Sequence, residues 1–223
     1  MMFGKRIFLN DVLFVLYAGD TLGWPDLTRT NFQKILYLSA ALAPLEQRHW
    51  EYEFTNAPYG PFNSEIHQAS DLLVVPYGYA ATTELVVQKD SKMRARYKIT
   101  SKGSVEVKAI CRLQREQQRL EWITTVMKVL DIYGPTVVTK LAYEEPTFRR
   151  MRKDNKGGKI DLSPDENQSI KLITRITKEL EKKHQINLDT TLSKVITYFD
   201  FLSKRISYGT QKWAQPSRQK SNV

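Results

Sequence analysis

Apolar residues recur along this chain at periods that alternate between helix and strand. Val12, Leu13, Val15, Leu16 and Tyr17 follow Asn10, a good capping residue, and predict a buried helix over residues 9–18 that Gly19 ends. Phe32, Ile35, Leu36, Leu38 and Ala41 recur at helical spacing behind a cap at Thr30, and Pro44 stops that second helix. Trp50, Tyr52 and Phe54 alternate with Glu51 and Glu53, the period of a half-buried strand. The segment Asn56–Pro61 then reads as a turn, and Asn63 or Ser64 caps a third helix carrying Ile66, Ala69, Leu72 and Leu73. Two β-prone runs, residues 83–88 and 95–100, flank a polar loop and predict a hairpin.

Helix, helix, strand, helix, hairpin and helix is the order of a winged-helix domain, which the pattern places over residues 1–115. A helical extension is predicted for 116–208. Residues 104–130 lack helix breakers and form one long helix or two abutting ones, and a shorter helix covers 137–143. Ser163 and Pro164 start a helix with Ile170, Ile173, Ile176 and Leu180 on one face, and Asp189 caps a last one with Leu192, Ile196, Phe199 and Leu202. Residues 209–223 are polar and expected to be disordered. The fold class is therefore mainly α with a small β-hairpin or sheet (α+β).

Charge divides the chain unevenly. Residues 1–100 hold 10 Lys and Arg against 10 Asp and Glu, and the remainder holds 24 against 14, so the whole net charge of +10 falls in the second part. Such asymmetry suits a surface facing nucleic acid or another acidic partner, and it also serves solubility. A single cysteine, Cys111, excludes an internal disulfide and points to a reducing, cytoplasmic setting. The N-terminus has no signal-peptide core, and no run of apolar residues is long enough to cross a bilayer, so no membrane association is expected.

A search for a nucleophile with its base, paired carboxylates, metal ligands or a phosphate loop finds only His49, His67 and His184, none with a second ligand at a useful spacing. Neither an enzyme nor a cofactor or metal site is expected. Binding is better supplied. Asn63, His67, Gln68 and Ser70 lie off the apolar positions of the third helix and carry the groups that read base edges, although an ordinary solvated face has the same composition. Lys89, Lys92, Arg94, Arg96 and Lys98 in the hairpin suit phosphate contacts. Arg149, Arg150, Arg152, Lys153, Lys156 and Lys159 form the densest basic run, expected to be exposed and mobile. Tyr59 and Phe62 flank a tight Gly-Pro turn, where they either meet a partner or pack beneath it.

Three of these patterns, in this order, resemble the Panacea (SocA-like) antitoxin-domain group and related winged-helix accessory proteins of bacterial defence loci. Asn31–Leu38, NFQKILYL, is similar to the family's LQKLLYL helix, with Phe32 in place of its leucine and Lys34 at the basic position. Ala57–Ile66, APYGPFNSEI, is similar to its YGPFSxEL turn and is the most specific of the three. Tyr97–Gly103, YKITSKG, resembles the YxLTxxG exit from the wing, and Leu141–Phe148 echoes a YEEYPEY piece that follows the domain. The resemblance covers about the first two thirds of the chain. It implies a non-enzymatic adaptor or antitoxin-like component that binds a partner protein, a toxin or defence-system subunit, with DNA or RNA as a second partner. The alternative is a sequence-specific regulator whose C-terminal helices form a homodimer on a two-fold DNA site.

Overall fold

Val12, Leu13, Phe14, Val15 and Leu16 cover every side of a helix with apolar atoms, so burying them takes neighbours all round. In the computed structural model of the chain, which describes residues 3–48, 50, 51, 53–87, 93–154, 158–184 and 188–213, these five are 0–3% exposed. They belong to α1 (Phe3–Thr21), which leads into the two-residue strand β1 (Leu27–Thr28) and α2 (Arg29–Leu42). A 3-10 turn at Ala43–Glu46 precedes the hairpin β2 (Phe54–Ala57) and β3 (Gly60–Phe62), then α3 (Ser64–Val74). A longer hairpin, β4 (Ala80–Val87) and β5 (Met93–Ile99), is followed by α4 (Ser101–Ile110), α5 (Gln114–Asp131), α6 (Val138–Glu144) and α7 (Pro146–Lys153). Strand β6 (Gly158–Ile160) and the helices α8 (Gln168–His184) and α9 (Thr191–Trp213) complete the order.

The architecture is mainly α with two small antiparallel sheets. In one, β5 lies between β1 and β4, so that α1, α2 and α3 are backed by a three-stranded sheet. In the other, β2 lies between β3 and β6, which brings Ile160 opposite Phe54, more than a hundred residues earlier. Helices from beyond residue 115 complete the core: α5 packs on both α1 and α2, and α6 on α2.

Several local expectations are corrected. Asn10 is an interior residue of α1 and donates from Nδ2 to Glu116 (3.2 Å), because the apolar face continues upstream to Phe8. Asp11, fully buried in the same helix, receives a bidentate contact from Arg119 of α5 (2.5 and 2.8 Å). Arg119 also donates to Glu51 (2.6 Å) and lies over the Trp50 ring, 4.1 Å from its centroid. Thr28 rather than Thr30 caps α2, in a reciprocal box with Asn31. The strand predicted over 50–54 begins at Phe54, and Trp50 is held against Arg119; Tyr52 lies outside the described residues.

The basic run expected as a mobile loop is largely ordered. Glu145 caps α7 by accepting from the N–H groups of Thr147 and Phe148, Pro146 begins the helix, and Phe148 buries completely beneath it. Residues 158–160 are then paired to β2, while Lys156 is outside the described residues. Helix α8 starts at Gln168, capped by Asn167, since Ser163–Glu166 forms a turn instead. Thr190 rather than Asp189 accepts from the first turn of α9 (Ser193 N–H, 3.2 Å), and that helix continues to Trp213 through part of the segment expected to be disordered. Residues 214–223 are outside the described set.

Candidate partner-binding surface

Helix α2 is buried along its whole length from Phe32 to Leu42, yet it carries Gln33 and Lys34 side by side. A buried polar side chain has to find partners, and both find the β2–β3 hairpin. Lys34 Nζ donates to the carbonyl oxygens of Tyr59 (2.7 Å) and Pro61 (2.9 Å). Gln33 reads the backbone of Asn63 in both directions, donating to its carbonyl (2.6 Å) and accepting from its N–H (2.8 Å). Burial pushes the Lys34 ammonium down to about 8. Gly60 sits at φ +94° in the left-handed region, and a Cβ there would lie 2.6 Å from Lys34 Nζ. The helix motif and the turn motif are thus two halves of one clamp.

The clamp fixes a two-residue turn, Pro58–Tyr59, since Ala57 pairs with Gly60 across the hairpin. Tyr59 projects from it with 73% of its surface exposed, and Phe62 is 36% exposed. Of the two alternatives for these aromatics, exposure is the one adopted by Tyr59. Behind the turn lies Tyr143 of α6, whose ring has Lys34 on it at 5.8 Å and Arg152 at 5.3 Å. Arg152 also approaches the Phe148 ring (5.9 Å) and has no ion pair among the described residues. Exposed tyrosine, phenylalanine and arginine on a rigid support are the residue types that dominate binding energy in protein interfaces.

Glu145 underpins the same region from inside. One carboxylate oxygen accepts from Thr147 N–H (3.0 Å) and Ser169 Oγ (2.6 Å), the other from Phe148 N–H (2.7 Å) and the Tyr37 hydroxyl. Tyr198 of α9 reaches the same cluster through Ser169 (2.6 Å). Burial first, and the neighbouring carboxylate second, raise both tyrosine hydroxyls well above their ordinary range.

The residues expected to read bases do other work. Asn63 caps α3, accepting from the N–H groups of Glu65 (2.8 Å) and Ile66 (3.2 Å), and gives its amide to Glu53 O (2.7 Å). His67 is half-buried and accepts from Arg29 (2.9 Å); burial and then that cation hold its imidazole below the usual value. Ser70 accepts from Arg29 as well (3.2 Å), and Asp71 is ion-paired to it. Only Gln68 remains exposed as predicted. The outward stripe of α3 is Glu65, Gln68 and Leu72, the last 41% exposed, Val75 just past the helix end is 72% exposed, and no lysine or arginine lies anywhere on the helix.

Of the wing cations, Arg96 pairs with Glu84 across the strands (2.7 Å), whereas Lys92 and the Arg94 side chain lie outside the described residues. On α7, Arg149 pairs with Glu144 (3.2 Å) and Arg150 with Glu166 (3.5 Å), and Lys153 is exposed. A cleft of about 690 Å³ between residues 47–54 and 159–164 holds the pairs Lys159 with Glu53 and Glu51 with Arg115 and Arg119, and is also lined by Arg48 and Asp161, which are in no ion pair among the described residues. Among the described residues there is no group of three His, Cys, Asp or Glu suited to a metal, and no helix long and apolar enough to cross a membrane. Gln33, Tyr143 and Glu145 were not among the predicted site residues. The signal for the first was present, as two adjacent polar residues inside an apolar helical repeat.

The fold and surface thus define a mainly helical α+β protein with a clamped aromatic turn. No protein-family model matches the chain, and no curated protein matches it.

Proposed function

We propose that this chain is a non-enzymatic winged-helix adaptor, an antitoxin-like component of a bacterial antiphage or toxin–antitoxin system. Its partner is a protein, bound at the Tyr59 turn together with Phe62 and Arg152. The observation that carries the reading is the Gln33–Lys34 clamp, which commits a buried ammonium, a buried amide and a left-handed glycine to holding one exposed turn still. Fixing a contact residue before association removes the entropy that ordering it would otherwise cost on binding. A loop needed only for connection has no use for such a support.

The character of α3 favours a protein over the alternative of a DNA-reading helix. Duplex DNA binding draws its affinity from cations placed against phosphates. Helix α3 instead offers Glu65, Asp71 and the apolar Leu72, followed by the exposed Val75 just past its end.

The test is co-expression of the tagged chain with the proteins encoded beside it, unmodified and as the Tyr59→Ala/Phe62→Ala variant. The expected result is a stoichiometric complex with one of them that the double variant weakens about tenfold or more, with its melting temperature nearly unchanged. Gly60→Ala, which keeps both aromatics and displaces the turn, should weaken it as well. A complex indifferent to these changes would remove the turn from the interface. A free chain that selects one DNA site over random duplex by ~10³-fold would replace the adaptor reading with that of a regulator.

A further inference from the structure

Away from the aromatic turn, where the start of α7 meets α8 and α9, a cleft of about 240 Å³ is lined by Pro146, Gln168, Lys171, Leu172, Arg175 and Arg205. Three of the six are cations and none is acidic. Arg175 and Arg205 have no ion pair among the described residues, and Lys171 gives its ammonium to the backbone carbonyl of Asp165. Of the carboxylates on the surrounding elements, Glu166 pairs with Arg150, Asp200 with Lys204 (2.6 Å), and Glu181 accepts from the Leu188 N–H (3.2 Å), while Asp165, exposed beside Lys171, is in no ion pair among the described residues. Glu179, exposed on α8 one turn beyond Arg175, is the one acidic neighbour left over on that helix.

The cleft is one end of a longer feature. Lys171, Arg175, Lys178 and Lys182 follow one another at steps of four, three and four residues, which puts them on a single stripe of α8, and all four are exposed. At about 1.5 Å rise per residue the stripe is roughly 16 Å long. Along a nucleic-acid duplex that length spans about five phosphates of one strand. On α7, Lys153 lies on the same face as Pro146, which lines the cleft, and is the cation of that face in no ion pair among the described residues, Arg149 and Arg150 being paired with Glu144 and Glu166.

We infer that the α7–α8–α9 cleft and the α8 stripe form a binding site for the backbone phosphates of nucleic acid, one that does not select sequence. The cleft itself is lined by three cations and no carboxylate, and along the α8 stripe four cations outnumber Glu179, so their mutual repulsion is relieved when an anion binds. Guanidinium and ammonium groups spread along a line match a chain of phosphates better than they match a single small anion. This site is independent of the proposed partner surface and uses none of its residues.

The experiment is fluorescence anisotropy of the full chain with a labelled random-sequence duplex over a salt series. It compares the unmodified protein, the Lys171→Gln/Arg175→Gln/Arg205→Gln variant, and a control with the same charge change at exposed Lys108, Lys128 and Lys140. The expected result is a loss of about tenfold or more in the cleft variant, with a slope of log affinity against log salt shallower by about 2 to 3. The control should stay within about twofold, and circular dichroism melts should agree among all three. Absence of duplex binding by the unmodified protein, or equal loss in both variants, would overturn the inference. So would labelled polyglutamate binding as tightly and losing as much in the cleft variant, since the surface would then belong to an acidic protein.

Discussion

Lys34 and Glu145 each bury a charged group among neutral dipoles, whereas Asp11 and Arg119 bury a charge together with its opposite. The ammonium of Lys34 is met by two carbonyls of a hairpin, and the carboxylate of Glu145 by two backbone N–H groups and two hydroxyls. Hydrogen bonds of this kind depend on direction, so they specify the path of the chain they hold: the Tyr59 turn in one case, the start of α7 in the other. Attraction between two charges falls off slowly with distance. The Asp11–Arg119 pair adds two directional hydrogen bonds to that attraction, but both partners are side chains, so it joins α1 to α5 without fixing a local backbone path. The two arrangements serve different ends, local shape beside the proposed interface and cohesion of the core away from it.

The sharpest way to break that contrast is at the ion pair. Asp11→Asn leaves the Arg119 guanidinium, 8% exposed, with Glu51 as its remaining acidic partner, and should destabilise the fold by about 3 kcal/mol or more in chemical denaturation. The double variant Asp11→Leu/Arg119→Met should lose less than either single change. Lys34 predicts a pH signature of nearly the same size. Its pKa falls from 10.5 to about 8 on folding, so the unfolded chain binds more protons between those values. Stability contributed by this residue should therefore rise as pH climbs from about 8 to 10.5, by up to about 3 kcal/mol, relative to Lys34→Met. Parallel stability–pH curves for the two proteins would refute it.

Glu145→Gln turns an amide NH₂ toward groups that already donate and should cost about 2 kcal/mol. Earlier hydrogen exchange confined to the amides of α7 would locate the damage. The smallest effect is expected at Asn63→Ala, about 1 kcal/mol for a lost helix cap, read as a modest drop in thermal midpoint. A larger drop would mean that its bond to Glu53 O matters more to the turn than the cap itself.

Periodicity located most helices and the long hairpin because burial follows those periods directly. It failed where polar residues work inside the core. Asn10 reads as a cap and is a helix interior residue, because the apolar face that precedes it is short and flanked by Lys5 and Arg6. β6 was invisible, since three residues containing a glycine and a lysine carry no strand period and take their conformation from pairing with β2. The basic run from Arg149 has the composition of a loop, yet Phe148 on the preceding turn anchors it. As for the site, the turn and its aromatics were legible. The clamp was not, because nothing in the spacing of Gln33 and Asn63 reveals that they meet.

One consequence of the Asp11–Arg119 pair concerns the order in which the chain is made. A nascent chain that has emerged only as far as residue 115 holds the most apolar helix of the molecule with one flank open and an acidic group facing no cation from α5. Synthesis adds residues at about 5–20 per second, so this state lasts on the order of a second before α5 emerges and closes it. Folding of the part that precedes α5 is therefore tied to translation of α5, and a prematurely released N-terminal fragment is a natural client for chaperones and proteases.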